Sequence, residues 1–174
     1  NADVDITSQL GRVQSVLALK NIDFIDKASY VGTVTLDNFD LGSLLDQKNL
    51  GKTSMNIAVD GIGFTEKYLN TALNGVITKI DFKDYTYTNV TVNGNFKIPN
   101  YTGQITIKDP NLNMHFDGLL DLSNKENKYD FHITVANSDL HKLKLVKDPT
   151  ALFKGDVVVQ VSGNTIEKLQ GAVY

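Results

Sequence analysis

Thr88-Asn89-Val90-Thr91-Val92-Asn93-Gly94-Asn95-Phe96-Lys97-Ile98 decides the fold. One side of this stretch carries Thr88, Val90, Val92, Gly94, Phe96 and Ile98. The other carries Asn89, Thr91, Asn93, Asn95 and Lys97. A helix places neighbours three and four residues apart, whereas this period of two belongs to a strand with one buried face. The same reading extends in both directions. Leu112, Met114, Phe116, Gly118, Leu120 and Leu122 alternate with polar partners, with Leu119 out of step. Met55, Ile57 and Val59, then Ile105 and Ile107, then Phe131, Ile133 and Val135, then Val157, Val159 and Val161 repeat it, and only Val158 spoils a polar side. Further strands are expected at Val13–Leu19, Gly32–Leu36 and Gly75–Phe82.

One polar and one apolar face per strand predicts a largely antiparallel meander. Pro99, Pro110 and Pro149 fall between strands, where a missing amide donor costs nothing. Ser123 to Lys128 reads as a polar loop. Helical signals are few. Asp40 caps Leu41, Leu44 and Leu45; Thr65 caps Glu66 to Asn70; Asp139 caps Leu140 and Leu143, although Leu143 and Leu145 also fit a strand. The fold expected is all-β: a curved, elongated sheet, with glycines near strand ends bending it into a trough with an apolar interior and one to three short helices. An ordinary β-sandwich core is the alternative.

The chain has 174 residues, the size of a single domain, and a net charge of −3. Its lysines are dispersed, which excludes a nucleic-acid footprint and a polybasic membrane patch. Cysteine is absent, so disulfides, thiolate zinc sites and cysteine nucleophiles are excluded. The longest apolar run, Val16 to Leu19, is far short of the roughly 20 residues of a spanning helix. The Asn-Ala-Asp opening suggests a segment excised from a longer protein.

An internal repeat links residues 31–77 and 130–174. Val34-Thr35-Leu36-Asp37-Asn38-Phe39-Asp40-Leu41 matches Ile133-Thr134-Val135-Ala136-Asn137-Ser138-Asp139-Leu140, Ile57–Gly61 matches Val159–Gly163, and Leu73–Val76 matches Leu169–Ala172. Such a repeat implies a stacked architecture, and the second copy is expected to run on past Tyr174.

No catalytic or metal constellation emerges. His115 and His132 lie on polar strand faces, two residues from Asp117 and Asp130, without a further ligand at useful spacing. Asp109-x-Asn111-x-Asn113 begins like a calcium loop, but Met114 replaces the required glycine and Leu120 the closing glutamate. Gly61-x-Gly63 lacks its third glycine. Asn89 and Asn100 head glycosylation sequons, which matter only in a eukaryotic secretory setting. No enzyme activity, cofactor or metal is expected. What remains is a long apolar strip formed by Met55, Ile57, Val59, Val90, Val92, Phe96, Ile105, Ile107, Met114, Phe116, Phe131, Ile133, Val157 and Val159.

Several elements together resemble a known family: Asn38-Phe39-Asp40-Leu41-Gly42, Val59-Asp60-Gly61-Ile62-Gly63, Tyr87-Thr88-Asn89-Val90-Thr91-Val92-Asn93-Gly94, Asp109-Pro110-Asn111-Leu112 followed by Phe116-Asp117-Gly118, and Asn137-Ser138-Asp139-Leu140. Their order and spacing resemble the C-terminal region of the TamB family, large subunits of the bacterial translocation and assembly module within the AsmA-like group. The resemblance implies a periplasmic segment of a Gram-negative protein anchored in the inner membrane elsewhere in its chain. It implies a trough-shaped "β-taco" that carries phospholipid for outer-membrane biogenesis, and an Omp85-type partner. The strip residues would line the lipid groove. A structural or chaperone-like module that pairs strands with outer-membrane proteins is the second reading, and a sugar-binding or enzymatic β-domain the third.

Overall fold

The computed structural model describes residues 1–65, 67–122, 126–163 and 170–174. Eleven strands form one antiparallel sheet in strict chain order, not closed into a barrel. They are β1 (Ala2–Ser8), β2 (Gly11–Lys20), β3 (Ser29–Asp40), β4 (Leu50–Ile62), β5 (Asn70–Phe82), β6 (Tyr85–Lys97), β7 (Asn100–Asp109), β8 (Leu112–Asp121), β9 (Lys128–Asp139), β10 (Leu152–Ser162) and β11 (Gln170–Val173). Among the described residues the one helix is α1 (Leu41–Leu45), capped by Asp40, whose side chain accepts from the Ser43 amide. There is no second sheet among them, so the sandwich alternative does not apply: every strand finds its hydrogen-bond partners in its immediate sequence neighbours.

Local chemistry sets most of the connections. At the β7–β8 turn, Asp109 accepts from the Asn111 amide across Pro110 at 2.9 Å, an Asx turn that needs no donor from the proline. After β9, Asp139 accepts from the Lys142 amide at 3.0 Å, but the chain makes a hydrogen-bonded turn there instead of the expected helix. Leu143 and Leu145 lie in that turn, not in a strand, and Leu143 is buried at 2 % exposure. Thr65 starts only one turn, its carbonyl accepting from Tyr68 and Leu69, because Asn70 already belongs to β5. Glu66 lies outside the described residues, as do 123–125 of the expected polar loop, and Lys128 opens β9.

The sheet carries a line of irregularities across it. Register shifts fall between Leu36 and Phe39 of β3, at Ser54/Met55 of β4, at Asn113/Met114 of β8, and between Phe153 and Gly155 of β10. An extra residue on one strand of a pair bends that strand and increases its twist. Leu36, Phe39, Thr53, Val90, Val135 and Ser138 along this line are buried, as are Ile57, Val92 and Phe116 in the adjoining row and Ala28, Tyr30 and Thr71 toward the other end of the strands. The burial along the line is that expected of a sheet that creases there with its apolar side inward.

The single layer leaves a signature in surface area. A compact monomer of this mass exposes about 8,400 Å², whereas this chain exposes 11238 Å². An apolar face with no second layer over it accounts for an excess of this kind.

Candidate functional site

Register turns the alternation into rows that run across the strands. In one row Leu36, Met55, Ile77, Val90, Ile107, Met114 and Val135 stand opposite one another in sequence. The next holds Val34, Ile57, Gly75, Val92, Ile105, Phe116, Ile133 and Val157. A third holds Val59, Leu73, Gly94, Gly103, Gly118, Phe131 and Val159. A fourth runs from Tyr30 and Gly61 through Thr71, Phe96, Tyr101, Leu120 and Tyr129 to Val161. Every strip residue singled out from the sequence falls in one of these four rows, on one face. Strands about 4.8 Å apart make eleven of them span on the order of 48 Å.

The strip is not a sealed core. Ile57, Val90, Val92 and Phe116 are buried, while Met55, Val59, Phe96, Ile105, Ile107, Met114, Phe131, Ile133, Val157 and Val159 are half-buried. Lateral packing between rows removes part of each side chain from water; the rest stays accessible.

The centre of the third row has a feature that alternation does not reveal. Gly94, Gly103 and Gly118 stand in register on β6, β7 and β8, so no side chain rises from this row over three strands. They are required there: a Cβ on Gly103 would lie 2.4 Å from the Gly94 Cα, and Gly103 and Gly118 adopt φ values of +147° and +153°. Aromatic rings from the flanking rows lean over this seam. The Phe116 ring lies 5.3 Å from Phe131 and 6.3 Å from Tyr101. The Tyr101 hydroxyl donates to the Gln104 carbonyl at 3.0 Å, which holds its ring over Gly94. Rings covering cross-strand glycines are a known way of repairing the lost packing. The spacing of Gly94, Gly103 and Gly118 in the sequence is the available signal, but it is readable only once the hairpin registers are known.

A polar knot closes the strip at its creased end. Asp109, 7 % exposed, accepts from the Tyr85 hydroxyl, the Thr88 amide and hydroxyl at 3.0 and 2.8 Å, and the Asn111 amide at 2.9 Å. Burial acts to raise its pKa, but these donors outweigh burial and hold the carboxyl below its ordinary value. Burial, reinforced by the neighbouring carboxylate, raises the Tyr85 hydroxyl. A carboxylate with all its lone pairs engaged has no capacity left for acid–base work, so its role is to pin β6 to the β7–β8 turn.

The opposite face is a ladder of small polar groups. Asn56 donates to Thr35, Gln104 to Asp117 at 3.0 Å, and Thr134 to Asp156 at 2.6 Å. The histidines belong to this ladder. His115 Nδ1 lies 2.9 Å from Thr106 Oγ1, and His132 Nε2 lies 3.2 Å from Asp156. His132 therefore meets Asp156 of the next strand, not Asp130, which instead accepts from Gln160. A hollow of about 510 Å³ on this face, across β3 to β6, is floored by Ala58 and Ala72 and edged by Asn74, Asn93 and Asn95. Among the described residues no His, Asp and Glu side chains converge as a metal site.

The fold and this site define a class: an open, single-layer antiparallel sheet with one polar and one apolar face. Comparison with family models, curated proteins and solved structures finds no match for the chain.

Proposed function

We propose that the chain is a periplasmic segment of a TamB- or AsmA-like intermembrane bridge that binds or conducts phospholipid along its apolar face. The observation that carries this reading is the set of apolar rows, continuous across the strands and only half-buried. A ligand that slides along such a face must be apolar, extended and indifferent to hydrogen-bond geometry, as acyl chains are. Each buried methylene contributes roughly 0.8 kcal/mol, so partial cover of two chains is already strong binding. The polar ladder keeps the other face in water. An Omp85-type protein would be the outer-membrane partner, and the membrane anchor would lie in another part of the parent protein.

Photo-crosslinkers at Ile107 and Phe116 in working full-length protein should capture lipid, while those at Thr91 and Lys108, on the polar face, should not. Equal capture on both faces, or none on either, overturns the reading. Asp in place of Ile107 should stop lipid at that level, because an unpaired carboxylate in an apolar groove is costly to desolvate; folding is checked first by circular dichroism. A second reading, strand pairing with outer-membrane proteins, draws on β1 and β11, each paired on one side only among the described residues. It predicts that Asp3→Pro, which removes an amide facing the open edge of β1 and none that pairs with β2, abolishes function while lipid capture persists.

A further inference from the structure

The β1–β2, β5–β6, β6–β7 and β7–β8 connections each take two residues, whereas β2–β3 takes residues 21–28 and β4–β5 takes 63–69. These two longer loops lie at the same end of the strands and are tied together. Gly63 donates to the Ala28 carbonyl at 2.8 Å, Phe64 to Ile25 at 3.3 Å, and the Thr65 hydroxyl to Asp26 at 2.8 Å. The tie holds out an apolar cluster: Ile22 is 64 % exposed, Phe24 68 %, Ile25 56 %, Phe64 45 % and Tyr68 44 %. The cluster is continuous with the apolar face, because the Phe64 ring packs 4.8 Å from Tyr30 of the fourth row.

Three features point to what covers it. The exposed area of these five side chains is on the order of 600 Å², below the ~800 Å² that each partner of a stable protein interface contributes. In sequence the two loop segments and Lys20 before them balance in charge, Lys20, Lys27 and Lys67 against Asp23, Asp26 and Glu66, so neither a strongly basic nor a strongly acidic partner is called for. Lys67 holds its ammonium 5.0 Å over the Tyr68 ring, and amphipathic pairs of this kind suit the boundary between headgroups and acyl chains. We propose that the 21–28 and 63–69 loops insert Ile22, Phe24, Ile25, Phe64 and Tyr68 into the interfacial layer of a zwitterionic phospholipid bilayer, setting the mouth of the apolar face against its lipid source. The assignment of a lipid source rests on the reading above; the insertion itself does not.

The chain contains no Trp, so in this 174-residue chain a single Phe24→Trp substitution reports on this site alone. With phosphatidylcholine vesicles its emission should shift to the blue and be quenched by lipids brominated near the top of the acyl chain, equally at low and high salt. Phe24→Asp with Ile25→Asp should weaken vesicle partitioning by about tenfold or more. Emission that does not move, quenching no greater than for Asp84→Trp at the opposite end of the strands, or binding that disappears in salt overturns the proposal. Lipid capture by the apolar face is measured separately. Capture without insertion of the Phe24→Trp indole removes this proposal and keeps the lipid groove, and insertion without capture does the reverse.

Discussion

The β3–α1–β4 region and the β9–β10 region solve one geometric problem with the same bulge and aspartate cap but opposite side chains. In each, the earlier strand carries an extra residue: Leu36 to Phe39 spans what Met55 to Thr53 covers, and Val135 to Ser138 spans what Gly155 to Phe153 covers. In each, an aspartate ends the strand and accepts from the amide three residues on, Asp40 from Ser43 and Asp139 from Lys142. The filling differs. Phe39 of β3 faces Thr53 of β4, whereas Ser138 of β9 faces Phe153 of β10. The aromatic ring on the bulged strand is buried at 7 % exposure; its counterpart on the unbulged strand is left 40 % exposed. The bulge therefore aims the side chain of the strand that carries it into the crease, and a large residue on the facing strand does not gain the same cover.

The largest effect should come from truncating those rings. Phe39→Ala should cost about 3–5 kcal/mol, as for a buried phenylalanine, and Phe153→Ala less than about 1 kcal/mol, both from urea unfolding. Equal losses would break the comparison. Next is the crease between the two regions, pinned by Asp109. Asp109→Asn should cost about 1–3 kcal/mol and lower amide protection in both β3 and β9 if the crease is one cooperative unit. The pH dependence follows from its depressed pKa. The stabilisation is complete above the unfolded carboxyl pKa near 3.9 and is lost as pH falls through the lower folded value. Urea midpoints measured across acid pH should show that loss in the native chain and a smaller one in the variant.

A smaller effect, of opposite sign in the two regions, is expected at the small residues. Thr53 and Ser138 are each 1 % exposed, but the Ser138 hydroxyl donates to the Phe153 carbonyl at 3.1 Å while the Thr53 hydroxyl has no partner. Ser138→Ala should destabilise by about 1 kcal/mol, and Thr53→Val should be neutral or stabilising. Thermal melts of the two variants that moved in the same direction would show that the Thr53 hydroxyl is satisfied in solution. The caps should matter least: Asp40→Ala and Asp139→Ala are expected to loosen only their own turns, read as faster amide exchange at Ser43 and Lys142.

Much of the architecture is written in local pattern. Alternation marks every strand from β2 to β10 because each has one face in water. β1 is not among the expected strands, although Ala2, Val4 and Ile6 alternate with Asp3, Asp5 and Thr7; on its polar side Arg12 of β2 reaches Asp5 at 2.6 Å. The crease leaves a trace that can be read afterwards: the apolar spacing slips from two to three between Leu36 and Phe39 and between Ile77 and Ile80, as an inserted residue requires. The expected helices after Thr65 and Asp139 do not form because a cap supplies only one turn, and nothing downstream offers an apolar helical stripe to continue it.

The sequence by itself determined that the chain makes amphipathic antiparallel strands and that their apolar residues share a face. These follow from period, composition and turn residues, which act within a few positions along the chain. Only the tertiary structure decided that the strands stay in a single open layer, that Gly94, Gly103 and Gly118 meet in one seam, and that Phe39 is covered while Phe153 is not. Those outcomes depend on register, and register is fixed by pairing between residues distant in sequence. One added residue in a strand moves every later side chain relative to its neighbour, so no local pattern can carry that information.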